Sequence, residues 1–131
     1  MGTTLAVRPC LQYCDVDVAV DTTYYANYFG ASDSLYITET EARCIMPKCR
    51  VKRLSILMLT NGFDSLTFTL LKNGSPTALA VSFSSGETGL KTATDDIAFE
   101  DGEEYSIQIT YTRTGTVTYT SMGGVLFYGN Y

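Results

Sequence analysis

Along "SLTFTLLKNGSPTALAVSF", residues 65–83, apolar and polar residues alternate on both sides of Asn73-Gly74. Leu66, Phe68 and Leu70 fall on one face while Thr67 and Thr69 fall on the other, the period-two pattern of a half-buried strand. Asn-Gly tolerates the positive φ angles that a tight turn requires, so the stretch predicts a hairpin with Pro76 at the start of its return arm. In "YSIQITYT" Tyr105, Ile107, Ile109 and Tyr111 share one face and Ser106, Gln108, Thr110 and Thr112 the other. That strand has one wet side.

Similar runs recur about every ten residues with Gly, Asn, Asp or Pro between them, and helical periodicity is hard to find anywhere. The candidate strands cover 15–20, 24–29, 35–38, 51–60, 65–72, 77–84, 91–99, 104–112 and 116–128, the last with a break at Gly123-Gly124. The expected fold is all-β, an antiparallel sandwich of two sheets.

Two of these runs are apolar on both faces. In "LSILMLT" Leu54, Ile56 and Met58 oppose Leu57 and Leu59, and in "GVLFYG" Val125 and Phe127 oppose Leu126 and Tyr128. A two-layer sandwich gives each sheet only one inner face, so the second set needs a loop, an extra segment or another subunit to cover it. Fold-back of the N-terminal thirty residues is one solution; self-association through Leu57, Leu59, Leu126 and Tyr128 is the other.

At 131 residues the chain is one ordinary domain, able to bury roughly two-thirds of its unfolded surface. Residues 1–30 read as an N-terminal arm or added edge segment, and 31–131 as the sandwich domain. A net charge of −5, with Lys48, Arg50, Lys52 and Arg53 as the only basic concentration, argues against a nucleic-acid partner. No stretch approaches the ~20 apolar residues of a membrane helix. "MGTTLAVRPC" lacks the basic start and apolar run of a secretion signal and the motif for myristoylation, so neither membrane nor lipid is expected.

The absence of histidine removes the usual general base, the Ser-His-Asp and Cys-His arrangements and the commonest zinc ligand. The acidic groups Asp15/Asp17, Glu39/Glu41, Asp95/Asp96 and Glu100 to Glu104 have no distinctive catalytic context; the last reads as a solvated turn, with calcium binding as its rival. No enzyme activity, cofactor or metal is expected. Four cysteines form two close pairs, Cys10/Cys14 and Cys44/Cys49, for which disulfides, free buried thiols and a four-thiolate zinc site compete. The conspicuous excess is tyrosine, ten in all, with Tyr24, Tyr25 and Tyr28 clustered. A large rigid ring with a hydrated hydroxyl suits protein contact, with sugar stacking as the competing use.

The stretch "MPKCRVKRLSILMLTNGFDSLTFTLLKNGSPTALAVSF", followed by "FEDGEEYSIQIT", resembles a β-sandwich module of bacteriophage virion proteins, and "MGGVLFYGNY" looks like that module's closing strand. The resemblance spans roughly Met46 to Thr112. Its motif residues, Lys72, Asn73, Gly74, Thr77, Ala78 and Leu79, are hairpin grammar and carry no site across. Glu103 stands where the module usually has aspartate, and Cys44 and Cys49 flank the Pro47 turn. The module is similar to trimeric jelly rolls of the tumour-necrosis-factor and C1q type, and the resemblance implies a non-enzymatic homotrimer, a capsid decoration or head-fibre protein made in the host cytoplasm and carried on the capsid surface. Its partners would be its own copies and the major capsid protein or another virion protein, with Tyr24, Tyr25 and Tyr28 as capsid-contact candidates. A short chain with its own Met favours decoration over a fibre tip. The alternative is a receptor- or carbohydrate-binding tip that meets a host-surface glycan.

Overall fold

The alternating runs form two antiparallel sheets packed face to face around a single apolar core. The computed structural model describes residues 3–16, 23–26, 38–115 and 117–130, with backbone alone for 3–16, 118, 120, 122, 124 and 126–130. The strands are β1 (Thr3–Val16), β2 (Tyr24–Ala26), β3 (Cys44–Ile45), β4 (Cys49–Asn61), β5 (Ser65–Lys72), β6 (Ser75–Ser84), β7 (Gly89–Phe99), β8 (Glu104–Thr112) and β9 (Val117–Asn130). Among the described residues the only helical element is one 3-10 turn, Glu39–Ala42.

The first sheet runs β1-β9-β4-β7 and the second β2-β8-β5-β6, with β3 beside β2 on the same edge of β8. Neighbours in each sheet are mostly distant in sequence, because the chain crosses between layers; this is the strand order of a jelly roll. The sequence-based expectation of a two-sheet antiparallel sandwich holds.

The Asn-Gly hairpin forms where expected. Lys72 pairs with Ser75, and Asn73 and Gly74 take φ of 50° and 82°, the left-handed pair of a two-residue turn. Just beyond it the β5–β6 register shifts between Thr69 and Leu71. The Thr77 hydroxyl donates to the Leu70 carbonyl at 2.8 Å and accepts the Leu79 amide at 3.2 Å, satisfying backbone groups beside the irregularity. Thr77 therefore completes the turn chemistry that Asn73-Gly74 begins.

In β4 the apolar phase changes parity: Cys49 and Val51 are buried, and then Leu54, Ile56 and Met58. A register shift between Val51 and Arg53, against both β7 and β9, absorbs the odd step and keeps both sets facing the core. Opposite them the second sheet contributes Leu66, Phe68, Leu79, Val81, Phe83, Ile107 and Ile109. Phe63 and Tyr119 bridge the layers by edge-on contact at 5.7 Å, and Tyr119 meets Phe68 at 5.9 Å.

Two sequence-based expectations change here. β9 runs unbroken through Gly123-Gly124, because it is paired on both edges: Gly123 stands between Cys10 and Ile56, and Gly124 between Pro9 and Ser55. Ladder bonds on two sides hold extended a segment that its own glycines would loosen. The second change is β1, fourteen residues long and paired with β9 from Thr3↔Asn130 to Val16↔Val117, whereas only 15–20 was expected as strand there. Within the stretch read as an arm or added edge, β1 forms the outer strand of the first sheet, and β2 places Ala26, 1% exposed, in the core. The expected strand at 35–38 falls mostly outside the described residues, as do 17–20 and 27–29.

Candidate functional site

With one face of each sheet consumed by the core, whatever the molecule recognises meets the outer faces and the loop ends. On the outer face of the first sheet, β4 and β7 pair Ser55 with Thr92 and Leu57 with Leu90. The Ser55 and Thr92 hydroxyls share a hydrogen bond of 3.1 Å, but the leucines have no such way to satisfy themselves. Leu57 is half-buried and Leu90 is 67% exposed, while Leu59, the extra residue at a second register shift, is 46% exposed. The structure thus decides which set of the two-sided β4 faces outward: Leu57 and Leu59, with Leu54, Ile56 and Met58 inside.

On β9, Leu126 pairs with Val7 and Arg53, and Tyr128 with Leu5 and Arg50. Leu57 pairs with Met122, so Leu126 stands four ladder positions along, about 13 Å away. The four interface candidates therefore lie on adjacent strands of one sheet, with the side chains of Leu126 and Tyr128 outside the described residues.

Beside the leucines the same face turns charged. Arg50 donates to Asp96 at 2.7 Å, and Lys52 reaches the other Asp96 oxygen at 2.9 Å. These hydrogen bonds, Arg50's first, hold the Asp96 carboxyl down to about 2. Lys48 lies 3.9 Å from Glu100. Three of the four bases in the basic run are thus set against two carboxylates, Asp96 and Glu100.

The outer face of the second sheet is built differently. Ser65 and Thr112 share a hydrogen bond of 2.7 Å and Thr67 and Ser82 one of 2.9 Å, with Thr69, Gln108 and Thr110 in the same ladder. Tyr25 pairs with Gln108 at its edge. At one end the 3-10 turn folds over it: Glu39 accepts the Ser106 hydroxyl at 2.8 Å, and Ala42, Leu71 and Ser106 are buried apart from the main core.

Arg43 locks that turn in place, bonding Glu39 at 2.6 Å and Glu104 at 3.3 Å, and the Glu39 hydrogen bond is the main reason its pKa is raised. A β-carbon on Gly74 would stand 2.7 Å from the end of the flexible Arg43 side chain, which would have to shift, while the φ of 82° is what favours glycine there. The Asn73 side chain reaches the β7–β8 turn, accepting the Glu104 amide at 2.9 Å and donating to Glu103 at 2.7 Å. The Glu100 amide, the leading influence on Glu103, donates to its carboxylate at 2.7 Å and lowers its pKa. The acidic stretch 100–104 is a hydrogen-bonded turn, and among the described residues no group of three or more His, Cys, Asp or Glu is placed to hold a metal ion.

The cysteine expectations are corrected in part. Cys44, on the second sheet, and Cys49, on the first, are free thiols, and burial pushes both pKa values up, away from reactivity. Cys10 and Cys14 lie on one extended strand, so their Cα atoms stand about 13 Å apart, beyond the roughly 7 Å that a disulfide spans. The tyrosines divide as well. Tyr24 turns inward and stacks on Tyr111 at 6.0 Å, Tyr25 stands on the opposite face, and Tyr28 lies outside the described residues.

Comparison with known proteins adds little to this geometry. No protein family matches the chain, and no curated protein does. A solved structure of the insecticidal delta-endotoxin Cry8Ea1 from Bacillus thuringiensis is similar over 65% of this chain, at 11% identity and a TM-score of 0.37, and the chain covers 17% of that one. Likeness at that level bears on neither fold nor function.

Sequence reasoning missed two exposed apolar side chains, Leu90 and Ile45, the latter 72% exposed. Leu90 had a weak signal, since it shares parity with Thr92 and Thr94 on the wet side of its strand. Ile45 had none, because a two-residue strand is too short to show a period.

Proposed function

We propose that this chain is a non-enzymatic structural protein of a virion, a capsid decoration or head-fibre protein that trimerises and docks on the capsid. The observation that carries the assembly reading is the Leu57–Leu90 pair, with Leu59 nearby, on the outer face of the β4–β7 sheet. Apolar side chains aligned on a sheet's water side are what a partner surface covers, and closed symmetry covers them without leaving a sticky end. The virion assignment rests on the resemblance of 46–112 to phage modules, to which the jelly-roll strand order lends support. Sedimentation of the purified chain tests the trimer. A trimer that becomes monomeric on Leu57→Asp is the expected outcome, and a monomeric wild type at micromolar concentration refutes it. Finding the protein in purified virions at capsid stoichiometry tests the location.

A second reading, a glycan-binding fibre tip, draws on the uncharged Ser, Thr and Gln ladder of the second sheet with Tyr25 beside it. Hydroxyls and an aromatic ring are the groups that meet sugars. The tyrosine to test is Tyr25, because Tyr24 is packed against Tyr111. Glycan-array binding lost on Tyr25→Ala would favour this reading over the first.

A further inference from the structure

Two asparagines of the described chain are followed by glycine, Asn61-Gly62 and Asn73-Gly74. This dipeptide is the one most open to spontaneous deamidation, because no side chain shields the glycine amide. The Gly nitrogen attacks Asn Cγ and gives up its proton to solvent base, and the carboxamide nitrogen leaves as ammonia. The resulting succinimide takes up one water at either carbonyl and opens to aspartate or isoaspartate. Nothing beyond water is consumed, and the one geometric demand is that the carboxamide swing onto the next amide.

In the fold both carboxamides are held elsewhere. Asn61 Oδ1 accepts the Phe63 amide at 2.9 Å, and its Nδ2 donates to the Ser84 and Glu87 carbonyls, each at 3.1 Å. These partners belong to neighbouring loop backbone around a half-buried side chain. Asn73 differs because it is exposed at a hairpin tip, and its partners come from a separate turn. Its Oδ1 accepts the Glu104 amide at 2.9 Å, its Nδ2 donates to Glu103 at 2.7 Å, and its own amide donates to the Glu104 carbonyl at 2.8 Å. Water already surrounds the residue, so these bonds, together with the turn backbone closed by the Lys72–Ser75 pair, are what keep the carboxamide from the Gly74 nitrogen.

We propose that Asn73 is a latent site of spontaneous deamidation, kept closed by its clasp on the β7–β8 turn and opened whenever that end of the sandwich separates. The product would not close again in the same way. Aspartate has lost the Nδ2 donor and brings a new carboxylate against Glu103, while isoaspartate lengthens the backbone inside a two-residue turn. Each opening that lasts long enough to react is thus recorded covalently.

The test is peptide mass spectrometry of the whole protein held in mildly alkaline buffer, following conversion at Asn73 and Asn61 in parallel, beside the same chain unfolded in denaturant. In the native wild type both sites should react many-fold more slowly than in the unfolded chain. Glu103→Ala should accelerate Asn73 several-fold and leave Asn61 unchanged, the second site serving as an internal check that the variant is folded. A Glu103→Ala protein with unchanged Asn73 chemistry overturns the clasp. If both sites accelerate together the variant has unfolded, and the wild-type comparison decides: Asn73 reacting in the native protein as fast as in the unfolded chain overturns the proposal, and strong native protection supports it.

Discussion

The two outer faces of the sandwich share a backbone geometry and differ in how their side chains are satisfied. On the second sheet the Ser65–Thr112 and Thr67–Ser82 pairs close their hydrogen bonds across the strands and still face water at no cost. On the first sheet the equivalent cross-strand position is Leu57–Leu90, which water cannot satisfy, bordered by an Arg50–Asp96–Lys52 cluster that is already paired. Burial pattern within the monomer does not distinguish these faces, since each is simply the side away from the core. Chemistry does: one face pairs its hydroxyls with each other, and the other sets leucines toward water.

The sharpest way to break this contrast is to compare the two sides of β4 itself. Leu54→Ala removes a side chain that is 0% exposed and should cost about 2–5 kcal/mol in urea unfolding, whereas Leu57→Ala, on the outer side, should cost the isolated subunit a small part of that. Equal losses would mean that Leu57 is core in all but position. Next in size is assembly: Leu57→Asp with Leu90→Asp should yield folded monomers by light scattering, while Thr67→Asp with Thr110→Asp, on the other face, should leave the oligomer intact. Loss of the oligomer in the threonine variant alone would move the interface to the second sheet.

Within the second sheet, Thr77→Val keeps the shape of the side chain and deletes its bond to the Leu70 carbonyl, an expected loss of about 1 kcal/mol read from the urea midpoint. The smallest effect belongs to the charged border of the first sheet. Asp96 is depressed to about 2 from its ordinary 3.8, so its pairing stabilises the fold fully above 3.8 and loses that contribution as pH falls toward about 2. Asp96→Asn should flatten the acid dependence of stability across that window, and only slightly, because the pair is exposed. An unchanged acid profile would show that the cluster adds nothing.

The strands read most accurately were β5 and β8, whose limits the alternation of Leu66 to Leu70 and of Tyr105 to Tyr111 marks without help from the rest of the fold. β1 was hidden for the opposite reason. Its extended form is imposed by fourteen consecutive partners in β9, and no local pattern around Arg8-Pro9 announces it. The Gly123-Gly124 step failed in the same way, since a strand clamped on both edges does not need the propensity that a local reading scores. For the outer site, the two-sided pattern of β4 announced that something apolar would face outward, but the choice between the sets depended on the bulge after Val51. Asn73 was legible as a turn residue, and its clasp was not. The partners Glu103 and Glu104 lie about thirty residues away and are brought to it only by the packing of two turns.

The pairing of Thr3 with Asn130 has a consequence in time rather than in space. As the polypeptide emerges from the ribosome, the β5–β6 hairpin can close as soon as its own residues are free, because its two arms are neighbours. The sheet that carries Leu57 cannot. Its central strand β9 is made more than fifty residues after β4 begins to wait for it, and β1 waits longest of all. Until β9 has been synthesised, β4 has only β7 beside it, and the sheet that backs the Leu57–Leu90 pair is half built. During that interval β4 and β1 each carry an edge without its β9 partner, the kind of exposed strand edge through which nascent chains associate.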